Sequence, residues 1–475
     1  MLKSQIKLGF VPTRRNVSAE KFCNKDVARA RKDAVEDMLK EKKIDYISLD
    51  FLNEEGLLLS VLDAEKVANK MIAEGVDALF VPHCNFGTED AVAKVSKLVG
   101  KPVLLWGMRD DAPCTDDGQR MTDSQCGLFA TGKILKQYGV PFTYITNSFL
   151  SDEVFKRGFD AFLSVASVVK GFTRMRIGQI GTRPTTFTSV RVNELELIER
   201  FGIEVTPITT TDLELLIKDV GANKKSLVNA QVEAWKNDCI IDIDADSLYK
   251  TAVLKCALRE FADSQELDAL AVQCWEPMSI IAGVRPCFAF SDLTGEKLPV
   301  ICELDIHGAI TSVMAQAASN WTASSFLADL TIRHPENDNA ELFWHCGVFP
   351  KDLARSGKPA IGKSFDGNMP SVGSYEIKHT DYTVLRVDAE HGNYSMLMGH
   401  GKGVDGPATT GTYGWIEFEN WPEWEHKFVY GPYIHHCVGI PGKYSHILYE
   451  ACKYIPGLNP DPVSPDAAQL QAFFR

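Results

Sequence analysis

Residues 76–107 read VDALFVPHCNFGTEDAVAKVSKLVGKPVLLWG, and the pattern of this stretch decides the fold class. An apolar run, VDALFVPH, is followed by the amphipathic run GTEDAVAKVSKLVGK and then by a second apolar run, PVLLWG. These patterns predict a strand, a helix capped at Thr88 and another strand. Two strands joined through a helix favour a parallel sheet with helices on both faces.

The same alternation extends in both directions from this unit. A second strand–helix series begins near residue 174 with RMRIGQIGTRP, and after residue 350 glycine and proline become frequent. There, YTVLRVDAEHGNYSMLMGHGKGV and GTYGWIEFE alternate as antiparallel strands do, and a helix is predicted only near the end, at KYSHILYEACKYI. The sequence therefore predicts an α/β protein. It has two doubly wound parallel-sheet domains, 1–172 and 173–350, followed by a mostly antiparallel β-rich C-terminal domain, 351–475.

Composition narrows the class of protein. The chain has 475 residues, 45% of them hydrophobic, and a net charge of −13, which argues against nucleic-acid binding. The sequence holds no run of eighteen apolar residues and its start lacks a signal peptide's apolar core, so we expect no membrane span and a cytoplasmic location. Its twelve cysteines are scattered without a CxxC pair, and we expect them to be small buried hydrophobic residues.

Acidic and imidazole side chains follow apolar strands in several places, where open α/β sheets bind their ligands. In PVICELDIHGAI, residues 299–310, strand alternation would place Glu303 and Asp305 on one face of a strand. Each place alone has an ordinary explanation, such as a solvated strand end or a hydrogen-bonded histidine. The other places are AVQCWEPM with Trp275 and Glu276, ELFWHCGVFP with His345, and YIHHCVGIPG with His435 and His436.

Together these groups form an oxygen and nitrogen ligand set. A buried carboxylate without a partner costs several kcal/mol or loses its charge, and a divalent cation removes that cost. Carboxylates with imidazoles suit Mn²⁺, Mg²⁺ or Co²⁺ better than the thiolates of a structural zinc site would. Two further turns carry candidate sugar-binding groups, Arg183 in GTRPTTFTSVRVNE and His83 with Asn85 in VPHCNFGTED.

The chain resembles the L-fucose isomerase and L-arabinose isomerase family. The resemblance rests on GTRPTTFTSVRVNELELIERFGIEV, CELDIHGAI, LFWHCGVFP and YIHHCVGIPGKYSHILYEAC, and on the predicted order of domains. It implies a metal-dependent conversion of an aldose to its ketose. The substrate would be a fucose-like or arabinose-like sugar or a modified hexose such as sulfoquinovose.

The resemblance also implies a ligand set, which the sequence leaves in two versions. The arabinose-type pattern has two glutamates about twenty-seven residues apart and two histidines, which gives Glu276, Glu303, His345 and His436. The fucose-type pattern has a Glu, an Asp and a C-terminal His, which makes Asp305 a ligand. The choice between Glu303 and Asp305 therefore stays open, and His345 is a ligand in only one version.

A mechanism follows as a hypothesis from this ligand set. Glu276 and either Glu303 or Asp305 act as the acid/base pair, while Trp275 and Arg183 contact the sugar. The resemblance implies a homo-oligomer, a trimer or hexamer, in which Arg14, His83 and Asn85 complete a neighbour's site. The alternatives are a non-catalytic sugar-binding protein on the same α/β lobes, and an aldolase or epimerase that forms an enediolate.

Overall fold

The computed structural model describes residues 5–17, 24–114, 116, 118–355, 357–364, 367 and 369–475. The chain divides into two compact units. The first comprises 1–170, 449–455 and 468–475, and the second comprises 171–448 and 456–467. The domain boundary predicted at residue 350 stays a prediction.

The first unit is built on a five-stranded sheet whose strands are all parallel, in the order β2-β1-β3-β4-β5. The predicted strand–helix–strand unit at 76–107 is confirmed: β3 and β4 are fully buried, and Thr88 precedes the helix between them. Burial of both strands is what a parallel sheet covered by helices requires. The strands are β1 (Lys7–Phe10), β2 (Asp45–Ile47), β3 (Ala78–His83), β4 (Val103–Gly107) and β5 (Thr143–Tyr144). The helices are α1 (Lys25–Glu41), α2 (Ala64–Ala73), α3 (Glu89–Val99), α4 (Ser124–Gln137) and α5 (Glu153–Phe172).

The second unit begins with a four-stranded parallel sheet in the order β10-β9-β6-β7. The second predicted α/β series is therefore confirmed. The strands are β6 (Arg176–Ile180), β7 (Glu204–Ile208), β9 (Ala269–Val272) and β10 (Val300–Ile301). The helices are α6 (Glu194–Phe201), α7 (Thr210–Asn223), α8 (Lys225–Asp238), α9 (Ala245–Ser264), α10 (Pro277–Ala282), α11 (Cys287–Gly295) and α12 (Ile306–Ala318).

A ten-stranded, mostly antiparallel sheet follows, as predicted for the C-terminal part. Its order is β19-β16-β15-β18-β11-β12-β17-β14-β13-β8, and an added pairing of β16 with β17 closes six strands into a ring. The strands are β8 (Ile240–Ile241), β11 (Phe326–His334), β12 (Asn337–His345), β13 (Ala360–Lys363), β14 (Pro370–Glu376), β15 (Asp381–Glu390), β16 (Asn393–Val404), β17 (Thr412–Glu417), β18 (His436–Pro441) and β19 (Leu458–Pro462).

Helices are more frequent near the C-terminus than the sequence predicted. α14 (Ser445–Cys452) lies in the predicted final segment, but α13 (Trp421–Tyr430) and α15 (Ala467–Ala472) were not expected. α13 was not predicted because aromatic residues dominate its sequence and Pro422 lies in its first turn. No helix in the described part of the chain combines the length and apolar character that a membrane span requires.

The segment PVICELDIHGAI departs from its predicted form. The strand β10 ends at Ile301, Cys302–Leu304 forms a single 3-10 turn, and Asp305 caps α12. The prediction that Glu303 and Asp305 share one face of a strand is therefore wrong, because the chain turns between them.

Candidate active site

The turn after β10 delivers the first acidic side chain of the candidate site. Glu303 and Leu304 both have left-handed backbones, with φ of 62° and 60°, which residues other than glycine rarely adopt. The turn lies at the carboxyl end of a parallel strand, where α/β sheets place their ligands. Glu303 is nevertheless 7% exposed, so its charge is held inside the protein.

Three strands of the ten-stranded sheet supply the other side chains of the candidate site. Asp329 on β11 stands directly opposite His436 on β18 in the antiparallel register, and His345 is the last residue of β12. The two adjacent histidines differ in exposure: His436 is fully buried, whereas the side chain of His435 is 44% exposed. The side chains of Glu303, Asp329, His345 and His436 form what we call the ligand cluster.

Distances within the ligand cluster suit a metal ion. Nε2 of His436 lies 3.0 Å from Oε2 of Glu303 and 3.3 Å from Oδ1 of Asp329. One ligand atom each from Glu303, Asp329 and His345 lie within 4.8 Å of one another. Oε2 of Glu303, Oδ1 of Asp329 and the Nε2 atoms of both histidines are buried, and none makes a well-aligned hydrogen bond among the described residues, while Nε2 of His436 faces both carboxylates. Four such atoms in one buried cluster are costly, and a cation would satisfy them.

The proton affinities of the cluster reflect its burial and its neighbours. Burial raises the pKa of Asp329. Burial would do the same to Glu303, but its contacts with His436 and His345 outweigh that effect and lower its pKa. Burial would lower the pKa of His436, yet the nearby carboxylates raise it to about 9. The cluster thus favours positive charge at its centre.

Asp305 lies behind the ligand cluster and contacts it through His436. Its Oδ2 is 2.9 Å from Nδ1 of His436, and its Oδ1 accepts the N–H of Gly308 at 2.9 Å. A Cβ on Gly308 would lie 2.6 Å from the same carboxylate, so only glycine fits there. Asp305 is fully buried and has its pKa far below the usual range, because the attraction of Arg386 outweighs the effect of burial.

Arg386 links Asp305 to a second buried acid. Its guanidinium forms an ion pair with Asp305 and lies 3.0 Å from Asp388, whose carboxylate is in turn 3.0 Å from Nδ1 of His307. Both oxygens of Asp305 are therefore engaged with neighbouring side chains and backbone. Such outer contacts fix the orientation of a histidine ligand.

A cavity of about 410 Å³ opens beside the ligand cluster. Trp275 lies at this cavity, 45% exposed, and its Nε1 donates to Oε1 of Glu303 at 3.2 Å. Glu276 is exposed at the same wall and has a positive φ of 20°. The lining residues are Cys274, Trp275, Glu276, Arg285, Pro286, Cys287, Glu303, Asp329, Trp344, His345, Cys346, Ser364 and Val372.

Arg183 acts on the loop that follows β6. Its Nη1 donates to the carbonyl oxygens of Pro184 at 2.9 Å and Phe187 at 3.0 Å. The ring of Phe187 is 6.0 Å from that of Trp275 and 5.4 Å from that of His436, centroid to centroid. Arg183 therefore shapes the loop that brings an aromatic ring to the site.

Comparison with known proteins finds similarity to sugar isomerases. A family model described as the N-terminal domain of fucose/sulfoquinovose isomerase matches residues 9–173. A sulfoquinovose isomerase from Alkalicoccus urumqiensis is 26% identical over 390 residues, covering 82% of this chain and 85% of that protein. Another, from Priestia megaterium, is 23% identical over 353 residues, covering 74% and 77%.

These similarities support the fucose isomerase-like family for this chain. Its class is that of an aldose–ketose isomerase, which confirms the enzyme class predicted from the sequence. A periplasmic solute-binding protein from Actinobacillus succinogenes, solved with bound D-allose, aligns with 66% of this chain and 92% of its own, at 13% identity and a TM-score of 0.18. That score is too low to bear on fold or ligand.

In the second unit, the structure brings together most of the residues that the sequence predicted for the site. Glu303, His345 and His436 meet in the ligand cluster, and Trp275 contacts Glu303. Glu276 lines the cavity, but neither it nor Asp305 belongs to a metal-compatible group among the described residues.

The remaining predicted residues lie in the first unit. Arg14 is engaged in a two-pronged ion pair, with Nε and Nη2 at 2.6 Å and 2.7 Å from the two oxygens of Glu55. His83 and Asn85 are each 1% exposed, and Nε2 of His83 and Nδ2 of Asn85 have no hydrogen-bond partner among the described residues. Those two atoms are therefore buried and unsatisfied within the described structure, whereas the guanidinium of Arg14 is occupied.

Asp329 is the member that the sequence did not reveal. It lies in SSFLADLTIRHP, an apolar strand that contains a single acid, twenty-six residues after Glu303. The resemblance implied two glutamates about twenty-seven residues apart, and that separation was assigned to Glu276 and Glu303. An acid on the buried face of a strand was the observation that could have identified Asp329.

Proposed function

We propose that this protein interconverts an aldose and its ketose with a divalent metal ion held by Glu303, Asp329, His345 and His436. The observation that carries the proposal is a buried cluster in which ligand atoms of Glu303, Asp329 and His345 lie within 4.8 Å of one another and Nε2 of His436 lies 3.0 Å and 3.3 Å from the two carboxylates. A binding protein for neutral sugars would gain nothing from such a costly arrangement.

The ligand set suits a hard cation, with Mn²⁺, Mg²⁺ or Co²⁺ as the candidates. When bound, such an ion acts as a Lewis acid on sugar oxygens and stabilises the negative charge that develops during proton removal. His436 enters this set through Nε2, because Asp305 occupies its Nδ1. We propose that Asp305 positions His436. The sequence left open which of Glu303 and Asp305 binds the metal, and we propose Glu303.

Glu303 is the proposed base for the carbon-bound proton. It takes the proton from C2 of the aldose and returns it at C1, and the indole N–H of Trp275 fixes its other oxygen at 3.2 Å. A second carboxyl group must shuttle the hydroxyl proton between O1 and O2. We propose Asp329, because its ligand atom lies within 4.8 Å of that of Glu303, whereas Glu276 is exposed on the cavity wall.

The substrate class that we propose is a hexose with an anionic group, such as sulfoquinovose. The supporting observations are the names of the relatives and the presence of Arg285 in the cavity lining. A guanidinium pairs well with an anionic oxygen cluster because its donors form a rigid fork. Replacing Arg285 with Met should lower kcat/KM for sulfoquinovose more than for the neutral sugars glucose and mannose.

The proposed activity is tested on the full chain after removal of metal with EDTA. Aldoses that include sulfoquinovose, fucose, arabinose and glucose are incubated with and without added Mn²⁺, and products are identified by NMR. We expect a ketose product only when metal is restored, and in deuterated water we expect solvent deuterium at C1 to the extent that the proton held by Glu303 exchanges before it is returned. An epimer, a cleavage product or full activity without metal would contradict the proposal.

We further propose that the protein works as an oligomer in which His83 and Asn85 serve the site of a neighbouring subunit. The support is their buried, unpaired polar atoms, which a sugar hydroxyl could satisfy. The size of the oligomer, a trimer or a hexamer, and a cytoplasmic location stay predictions.

A further inference from the structure

Four cysteines from four separate segments meet beside the ligand cluster. Cys274 follows β9, Cys287 begins α11, Cys302 follows β10 and Cys346 follows β12. Their separations of thirteen to forty-four residues carry no metal-binding motif, which is why the sequence predicted only buried hydrophobic residues. Of the twelve cysteines, Cys23 lies outside the described residues.

The sulfur atoms of this cysteine cluster are in contact. Sγ of Cys346 lies 3.4 Å from Sγ of Cys287, and side-chain hydrogen bonds join Cys302 to both Cys346 and Cys274. Cys346 also lies 3.2 Å from Nδ1 of His345, Sγ to nitrogen. Cys302, His345 and Cys346 form a group whose ligand atoms all lie within 4.8 Å of one another.

We propose that Cys302 and Cys346, with Cys287 in contact with Cys346, form a second cation site, specific for a soft divalent ion of the Zn²⁺ or Cd²⁺ class. Thiolates favour such ions, whereas the adjoining carboxylate and imidazole ligands favour hard ones. Two sulfurs on one tetrahedral zinc lie about 3.8 Å apart, as bonds of about 2.3 Å dictate. The observed 3.4 Å needs only a small movement to reach that geometry.

Access and chemistry are both consistent with binding. Cys287 and Cys346 line the cavity of about 410 Å³, so an ion reaches them by the route that serves the ligand cluster. Each thiol that binds releases its proton to solvent, and no oxidant or reductant is needed. The site stands apart from the proposed isomerase activity, because it depends on sulfur rather than on the carboxylates of the ligand cluster.

The test is a Cd²⁺ titration of the full chain loaded with Mn²⁺, followed by the ultraviolet charge-transfer absorption of Cd–thiolate bonds and by equilibrium dialysis. We expect one sulfur-bound Cd²⁺ per chain, and affinity at least tenfold weaker in Cys346→Ser and in Cys302→Ser. Cys126→Ser is the control, because Cys126 is an exposed thiol of the first unit. Equal binding by wild type and the cluster variants, or no Cd–thiolate absorption, would overturn the proposal.

Two further measurements keep the result interpretable. X-ray absorption on the Cd²⁺-loaded wild type counts sulfur neighbours without any variant, and a shell of oxygen and nitrogen alone contradicts the site. Glu303→Gln should retain the sulfur absorption even though it removes a member of the ligand cluster. Loss of the absorption in that variant would show that the sulfur-bound Cd²⁺ also needs Glu303, and would contradict a site separate from the ligand cluster.

Discussion

Nδ1 of His436 lies 2.9 Å from Oδ2 of Asp305, and the other ring nitrogen of His436 faces Glu303 and Asp329. This relationship separates the roles of two acids that are only two positions apart in the chain. Glu303 presents an unpaired oxygen to the cluster, whereas the oxygens of Asp305 are held by Arg386, His436 and the backbone.

Replacing Asp305 with Asn should weaken metal binding without abolishing it. The amide keeps the shape but loses the charge that orients His436, and loss of such an outer contact typically costs about 10–100-fold in metal affinity. It also leaves Arg386 with Asp388 as its remaining acid, so we expect a lower melting temperature. Mn²⁺ affinity by calorimetry checks this, and a complete loss of binding in a folded variant would instead make Asp305 a ligand.

Replacing Glu303 with Gln should abolish turnover while leaving the fold intact. Glutamine cannot accept the C2 proton, and loss of a general base typically lowers the rate by about 10²–10⁴-fold. The control is Glu390→Gln, because that side chain is 62% exposed. Initial rates for both variants and their circular dichroism spectra decide the matter, and near-normal turnover by Glu303→Gln rules out its role.

Replacing Asp329 with Asn and Glu276 with Gln distinguishes the two candidates for the hydroxyl proton. Asp329 contacts the ligand cluster, so its loss should reduce both metal affinity and kcat. Glu276 is exposed at the cavity wall, so its loss should change KM more than kcat. Steady-state kinetics at saturating Mn²⁺ separate these effects, and a greater fall in kcat for Glu276→Gln would restore it as the shuttle.

Much of the fold follows from the alternation of apolar runs, since strand–helix–strand units such as that at 76–107 fold locally and pack in a standard way. The candidate site follows less readily. Its ligands come from four segments with no fixed spacing, and only the register of β11 with β18 brings Asp329 opposite His436. The turn at Glu303 was hidden as well, because a left-handed glutamate has no sequence signature comparable to that of glycine.

The stability of the protein should depend on pH through Glu341 of β12. Glu341 is 5% exposed, and burial raises its pKa from 4.5 to about 7. A raised acid pKa means that the folded state resists ionisation, so stability falls as pH rises from about 4.5 to about 7. The full shift corresponds to about 3 kcal/mol, and solvent screening reduces this.

Glu341→Gln removes that ionisation. Its melting temperature should exceed that of the wild type by more at pH 8 than at pH 5, as differential scanning fluorimetry can show. Glu390→Gln, with an exposed side chain, should show no such difference between the two pH values. An equal offset of Glu341→Gln at both pH values would indicate an effect of packing rather than of charge.

Complementation between two inactive variants should reveal whether neighbouring subunits share a site. Asn85→Ala removes an amide whose Nδ2 has no partner among the described residues, and Glu303→Gln removes the proposed base. Each homo-oligomer should be nearly inactive. If Asn85 serves a neighbour, a mixed oligomer contains some sites with intact Asn85 from one chain and intact Glu303 from the other.

Co-expression with two affinity tags should then restore part of the activity, up to about a quarter when the chains mix at random in equal amounts. Glu303→Gln combined with Asp329→Asn is the control, because both residues lie in the same unit and should not complement. Activity no higher than that control would place Asn85 outside a shared site.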